Sequence, residues 1–280
     1  MEIIQSASDI TKQIVALKQS GKTIGFVPTM GALHEGHLSL IKLGKQQCDI
    51  TIASIFVNPT QFNDKGDLKR YPRTPEADCK LLEEAGCDIV FMPTEQEIYP
   101  EPDTRVFDFG QLDKVMEGAH RPGHFNGVAQ VVSRLFDIVP ADKAFFGLKD
   151  FQQVAIIRAM VAQLGYKIEI VAAPIIRDTD GLALSSRNTL LNAQQRKSAP
   201  LISQTLFEAQ KRTGTMSVDE LKKWAVENIN TDKELDVEYF DIVDSLTLQS
   251  VSSWDTPGQK FACVAVKVGE IRLIDNIQLQ

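Results

Sequence analysis

An α/β chain of two domains is predicted: a parallel sheet flanked by helices over residues 1–175, and a smaller α+β domain with antiparallel strands over residues 176–280. Three observations carry this. Up to residue 174, short apolar runs rich in β-branched residues alternate with stretches of helical spacing, as strands joined by helical crossovers do. After Pro174 the alternation stops, and two helical stretches are followed by three strand-like runs, the last two meeting at Gly269. A length of 280 residues is enough to build two separate cores.

Each element has its own signal. TIGFVP (23–28) reads as a strand, GHLSLIKLGKQQ as a helix beginning near His37, and DITIASIFV (49–57) as a strand covered on both faces or used at a subunit interface. In TPEADCKLLEEAG, Thr74 suits an N-cap, Pro75 the first helical position and Gly86 the stop. DIVFMP (88–93) is the next strand, GVAQVVSRLFDIV (127–139) a helix, AFF (144–146) a strand, DFQQVAIIRAMVAQLG a helix and KIEIVAAP (167–174) a strand. Right-handed crossovers then place a ligand crevice outside the carboxyl ends of these strands. In the second domain Asn192 with Gln195, and Ser217 with Glu220, fit capping boxes. LDVEYFDIVD, KFACVAVKV and IRLID follow as strands.

The net charge of −7 argues against a general nucleic-acid surface and directs attention to small anions met by a few aimed cations. Cys48, Cys79, Cys87 and Cys263 show no CxxC spacing and read as buried thiols of a reducing cytoplasm. The N-terminal MEIIQSASDITKQI lacks the cationic start and apolar core of a signal peptide, and no run approaches the roughly 20 apolar residues needed to cross a bilayer. A cytoplasmic protein without membrane or nucleic-acid partners is expected.

The chemistry concentrates in PTMGALHEGH (28–37), where a strand gives way to a helix and two of the four histidines stand three apart. Gly31 and Gly36 permit close approach of a ligand to the backbone, and a helix N-terminus offers unpaired N–H groups to an anion. Zinc of the HExxH type needs a spacing of four and a third ligand, neither of which is present. A purely structural pair remains open, and a pair that handles phosphate is favoured. The chain has neither GxxxxGK[ST] nor GxGxxG, so a nucleotide would be held in another way. Asn58 and Gln61 in NPTQF follow the second predicted strand at the same edge, and an amide can serve a hydroxyl and a carboxylate together. Lys149 in GLKD is a flexible cation suited to phosphate, Gly147 leaves room beside it, and Asp150 stands where the next helix begins. In SSRN, Arg187 can make two parallel bonds to phosphate, with Ser185 and Ser186 as further donors. Taken alone, each of these has a bland alternative as a turn-stabilising amide or a solvated cation. His120 and His124, with Glu117, Arg121 and Asn126, read as a pocket wall, an inter-element network or an ordered lid, and not as catalysts.

The strand, HxGH-like turn and helix resemble the nucleotidylyltransferase group related to class I aminoacyl-tRNA synthetases. The longer PTMGALHEGH, followed in order by NPTQF, YPRTPEAD, RPGHFNGVAQVV, FGLKDFQQ and IIRDTDGLALSSRN, is similar to the blocks of the pantoate–β-alanine ligase family over most of residues 25–190. The resemblance implies a Rossmann-like first domain and an AMP-forming ligase that condenses pantoate with β-alanine through a pantoyl adenylate, using Mg-ATP. It further implies a homodimer. On the matching positions it implies His34, His37, Lys149 and Arg187 as catalytic residues. ATP would be bound by Met30, Gly31, His34, His37, Gly147, Leu148, Lys149, Asp150, Ile176, Leu184, Ser185, Ser186 and Arg187. Gln61, Gln153 and Asn58 would bind pantoate or β-alanine, and Asp78 would contact Mg2+ through water. The family commonly has methionine at Leu184, tyrosine at Phe151 and glutamate at Asp67, departures that leave the phosphate-handling set untouched. A transferase that stops after adenylating another acceptor, and a nucleotide sensor with a dead site, are the rival readings.

Overall fold

The computed structural model describes residues 1–62 and 65–279. In chain order the elements are β1 (Glu2–Ile4), α1 (Ala7–Gln19), β2 (Ile24–Thr29), α2 (Glu35–Gln47), β3 (Ile50–Ile55), α3 (Lys65–Arg70), α4 (Pro75–Glu84), β4 (Ile89–Phe91), α5 (Glu95–Ile98), α6 (Met116–His120) and α7 (His124–Ile138). They continue as β5 (Lys143–Gly147), α8 (Phe151–Leu164), β6 (Glu169–Ala173), α9 (Ala193–Ser198), α10 (Pro200–Arg212), α11 (Val218–Ile229), β7 (Leu235–Asp244), β8 (Lys260–Val268) and β9 (Ile271–Gln278).

Six parallel strands form one sheet in the order β1-β4-β3-β2-β5-β6. The β-branched run of β3 therefore lies inside the sheet, paired along both edges with β4 and β2. Its apolar partners come from α2 and α4, where Leu40, Ile41 and Leu82 pack with Val27, Ala53, Val90 and Phe145 of the strands. From β2 the chain moves to β3 on one side, whereas from β5 it moves to β6 on the other. The neighbouring pair β2 and β5 is thus the switch point of the sheet, and the crevice beyond their carboxyl ends is where such sheets take ligands.

Two compact units divide the chain. The first comprises Met1–Phe109, Arg121–Leu148 and Gln153–Pro174; the second comprises Gly110–His120, Lys149–Gln152 and Ile175–Gln280. In the second unit β7, β8 and β9 form an antiparallel sheet. Its core joins Ile202 and Leu206 of α10 and Leu221 and Ala225 of α11 to Ile242, Val264 and Val266 of the strands. Both expected capping boxes are present, at Asn192–Gln195 and Ser217–Glu220.

The two short segments far from the rest of the second unit in sequence are tied to it by polar contacts. Buried Glu117 accepts from Arg272 Nη1 at 2.6 Å and Nη2 at 2.7 Å, and from the Tyr239 hydroxyl at 2.9 Å. Gln152 Nε2 donates to the carbonyls of Leu112 (2.7 Å) and Val115 (2.9 Å), while its Oε1 accepts from the Glu117 N–H at 2.9 Å. His120 stacks on Tyr239 with centroids 5.4 Å apart, so it belongs to this network.

Candidate active site

β2 ends at Thr29, whose hydroxyl donates to the Ser54 carbonyl of β3 (2.7 Å) and accepts from the Gly31 N–H (3.1 Å). The chain then bends sharply, because Gly31 and Ala32 both adopt the left-handed region with φ of 77° and 49°. At Gly31 a Cβ would stand 2.9 Å from Asp78 Oδ2, so the turn needs glycine for both space and conformation.

His34 follows in extended conformation as the N-cap of α2. The helix therefore begins at Glu35 and not at His37 as expected. The reason lies in the imidazoles, which do what asparagine or serine usually does at this position. His34 Nδ1 accepts from the Gly36 N–H at 3.1 Å, and His37 Nδ1, from the third helical position, accepts from the His34 N–H at 3.3 Å. An Nδ1 that accepts carries no proton, so in each neutral ring the proton sits on Nε2. The rings lie 4.1 Å apart at the N-terminus of α2, which follows β2 of the switch point.

Gln61 sits in the short 3-10 turn Pro59–Gln61 after β3, almost fully buried. Its Oε1 accepts from Asn58 Nδ2 at 3.3 Å and its Nε2 contacts Met30 Sδ at 2.9 Å. His124 Nδ1 lies 2.8 Å from the Gln61 carbonyl, and since a carbonyl only accepts, this nitrogen carries the proton. The resemblance has Asn58 touching substrate, but it is 1% exposed and both ends of its amide are occupied. Nδ2 donates to Gln61 and the Gly127 carbonyl, and Oδ1 accepts from Thr60 and the Tyr99 hydroxyl. In the structure it holds the Gln61 amide through the Nδ2 bond. Gly127 makes room for this turn, since a Cβ there would meet the Thr60 carbonyl oxygen at 2.6 Å. Gln153 is half-buried on the first turn of α8, and Gly147 closes β5 with open space where a side chain would be. Leu148 follows it in a 3-10 turn.

The resemblance puts Asp78 near Mg2+, and its surroundings speak otherwise. It is 2% exposed, with Oδ2 accepting from the Ala32 N–H (2.9 Å) and Oδ1 from the Leu33 N–H (2.7 Å) and the Thr74 hydroxyl (3.3 Å). The carboxylate is taken up by the histidine turn. Among the described residues no group of three His, Cys, Asp or Glu side chains could hold a metal ion.

In the second unit, Lys149 directly follows Leu148, its side chain 19% exposed and its Nζ 4.0 Å from Asp150 Oδ1. Its carbonyl accepts from Asn276 Nδ2 of β9 at 3.0 Å. Next to Asn276, buried Asp275 pairs with both terminal nitrogens of Arg177, at 2.6 and 2.9 Å. Burial raises the Asp275 carboxyl above its ordinary value, against the lowering effect of Arg177. Ile176 and Leu184 are brought together by a main-chain bond from the Leu184 N–H to the Ile176 carbonyl (3.0 Å). Ser185 caps the short turn Ser186–Leu190 by accepting from the Arg187 N–H at 3.3 Å, with Ser186 buried and Arg187 half-buried. Asp275 and Asn276 carried no sequence signal of a site, because they lie about a hundred residues or more from the groups they hold.

A family profile described as pantoate-beta-alanine ligase matches residues 2–278. The chain belongs to the pantoate–β-alanine ligase family. It is 54% identical to the pantothenate synthetase of Porphyromonas gingivalis over 280 residues, 100% of both chains. It is also 54% identical to that of Bacteroides thetaiotaomicron over 278 residues, 99% of both chains. Among solved structures it resembles the pantothenate synthetase of Thermus thermophilus, with TM-score 0.93, 42% identity and coverage of 100% and 99%. A second likeness is to the pantoate-beta-alanine ligase of Francisella tularensis complexed with beta-gamma ATP and beta-alanine, with TM-score 0.83, 34% identity and coverage of 100% and 98%. A match of this identity over the whole chain makes ATP-dependent condensation of pantoate with β-alanine, giving pantothenate, the activity of this family member.

Proposed function

We propose that this pantoate–β-alanine ligase works through a pantoyl adenylate, with the His34–His37 turn as its phosphate-handling element. The pantoate carboxylate attacks the α-phosphorus of ATP, the bond to the bridging oxygen breaks, and pyrophosphate leaves. The β-alanine amine then attacks the adenylate carbonyl, AMP leaves and the amine gives up a proton. The reciprocal imidazole cap supports the reading: with both Nδ1 atoms accepting, the proton of each neutral ring sits on Nε2, and the cap follows β2, a strand of the switch point. Such donors act by meeting charge that grows on phosphoryl oxygens, and they cost little reorganisation because the helix holds them in place.

The other roles follow the chemistry of each group. Gln61, oriented by Asn58, would bind the pantoate hydroxyl and carboxylate, with Gln153 as its companion. Met30 and Gly31 would line the reacting region, and Gly147 and Leu148 would leave the nucleotide room beside β5. In the second unit Lys149 and Arg187 would neutralise the triphosphate, assisted by Ser185 and Ser186. Ile176 and Leu184, joined by their main-chain bond, would give the adenine an apolar wall, and Asp150 would serve the ribose. Mg2+ enters with ATP as part of the substrate, held chiefly by phosphate oxygens.

A homodimer and a cytoplasmic setting complete the reading. The first rests on the family; the second is supported by four free cysteines, and no described helix is long and apolar enough to cross a membrane. AMP formation, measured with ATP, pantoate and β-alanine omitted in turn, tests the function. AMP release that requires all three is expected. A released, stable adenylylated product on an acceptor other than pantoate would point instead to a transferase, and no AMP under any condition would point to a dead site.

A further inference from the structure

A tight turn that presents successive main-chain N–H groups to one point makes a backbone nest, which ordinarily receives an anion. Here Gly31 and Ala32 make the nest, and the anion is the chain's own Asp78, which accepts from Ala32 and Leu33 at 2.9 and 2.7 Å. Ala32 is one of three non-glycine residues with positive φ among the described residues, a conformation that a side chain resists unless something holds it. Thr74, the N-cap of α4, makes no cap bond to the main chain of its helix and turns its hydroxyl to the side chain of Asp78, on the same helix. The residue after Leu33 is His34, whose N–H and Nδ1 both take part in the imidazole cap. One buried carboxylate thus fixes the two peptide planes that lead into the imidazole cap.

We infer that Asp78 is a positioning residue for adenylation, a clasp that holds the Gly31–Leu33 turn so that His34 and His37 keep their geometry, and not a metal contact. The inference rests on the phosphate-handling reading above. Asparagine at this position keeps the shape but offers one acceptor oxygen, so one of the two main-chain N–H groups would face an NH2. The turn then opens and the imidazole cap loosens.

The decisive experiment compares Asp78→Asn with Asp78→Asn/Ala32→Gly. Imidazole 15N NMR should show His34 and His37 as Nε2–H tautomers in the unaltered protein, and the Asp78→Asn signals should move toward an average of both nitrogens. AMP formation should fall about 10- to 100-fold, the range a small misplacement of catalytic groups produces. Its Mg2+ dependence should stay unchanged. Ala32→Gly should restore part of the rate, because glycine holds the left-handed turn without the carboxylate; a metal ligand would not be rescued at that position, and thermal unfolding of both variants separates restored turn geometry from a general gain in stability. Unchanged imidazole signals in a folded Asp78→Asn overturn the clasp, and so does a Mg2+ requirement that rises by the same factor as the rate falls. Altered signals with full activity would leave the clasp standing and overturn the phosphate reading instead. Should Asp78→Asn fail to fold, Thr74→Val removes only one of the three bonds to the carboxylate and should give a smaller change of the same pattern. No change in the signals with Thr74→Val would overturn the inference.

Discussion

The imidazole cap makes His37 the most informative residue to alter, because it has two jobs on two different nitrogens. Nδ1 accepts from the His34 N–H, a contact that helps to start α2, and Nε2 carries the hydrogen proposed to meet phosphate. In His37→Ala both are lost. The cap is worth about 1 kcal/mol, which in a chain of this size lowers the melting temperature by a few degrees. The donor is worth about 3 kcal/mol in the transition state, a factor near 100 in rate. His37→Asn separates the two, since the asparagine oxygen reaches roughly where Nδ1 stands and nothing occupies the place of Nε2. Asparagine should therefore melt within about 0.5 kcal/mol of the unaltered protein and still lose about 100-fold in adenylation. Thermal unfolding followed by circular dichroism reads the first quantity, and positional isotope exchange in ATP with pantoate present reads the second. The reasoning is refuted if His37→Asn exchanges at the full rate while His37→Ala does not, for the ring would then serve only the helix.

Two other expectations come from the same unit. Gly127→Ala drives a Cβ against the Thr60 carbonyl, an overpacking that typically costs about 1–3 kcal/mol, and it should shift the turn that carries Gln61. Steady-state kinetics should show the KM for pantoate rising about 10-fold with the KM for ATP held, consistent with about 1.4 kcal/mol lost at one substrate only. A KM that rises for ATP alone would remove Gln61 from the pantoate site. At acid pH, Asp103 is held well below the ordinary carboxylate range, first by the Arg105 hydrogen bonds and then by Arg134. A lowered folded value means stability that is present above the ordinary value of 3.8 and is lost as pH falls below it. Asp103→Asn should flatten this acid limb of a denaturant-midpoint profile, and an unchanged limb would assign the acid sensitivity to other carboxylates.

How much of this was legible beforehand depended on the distance over which each contact acts. The three C-terminal strands, both capping boxes and the helices α2, α4, α7 and α8 could be read because their signals are local, in periodicity or in residues three apart. Where local signals were weak, the reading slipped. The three residues of β1 are too few to show a period, α7 begins at His124 and not Gly127, and α2 begins at Glu35 and not His37 because histidines replace the usual capping residues.

At the site, chemical type was legible and assignment was not. PTMGALHEGH marked the turn that is proposed to handle phosphate, and a whole-chain resemblance supplied the reaction. Asn58 and Asp78 looked like ligands because they are polar residues inside the right blocks, yet the folded chain buries both and uses every acceptor they have on neighbouring atoms. Sequence by itself determined the layered α/β plan, the second unit's strands and the residue types proposed to meet a nucleotide, since these follow from local pattern and residue chemistry. Tertiary structure alone decided that β2 and β5 flank the switch point, that Asp78 reaches a turn 45 residues away, and that Asn276 holds the carbonyl of Lys149 across 127. Burial is the physical reason: a polar group removed from water must find its partner wherever the fold brings one, and nothing in the neighbouring sequence records where that will be.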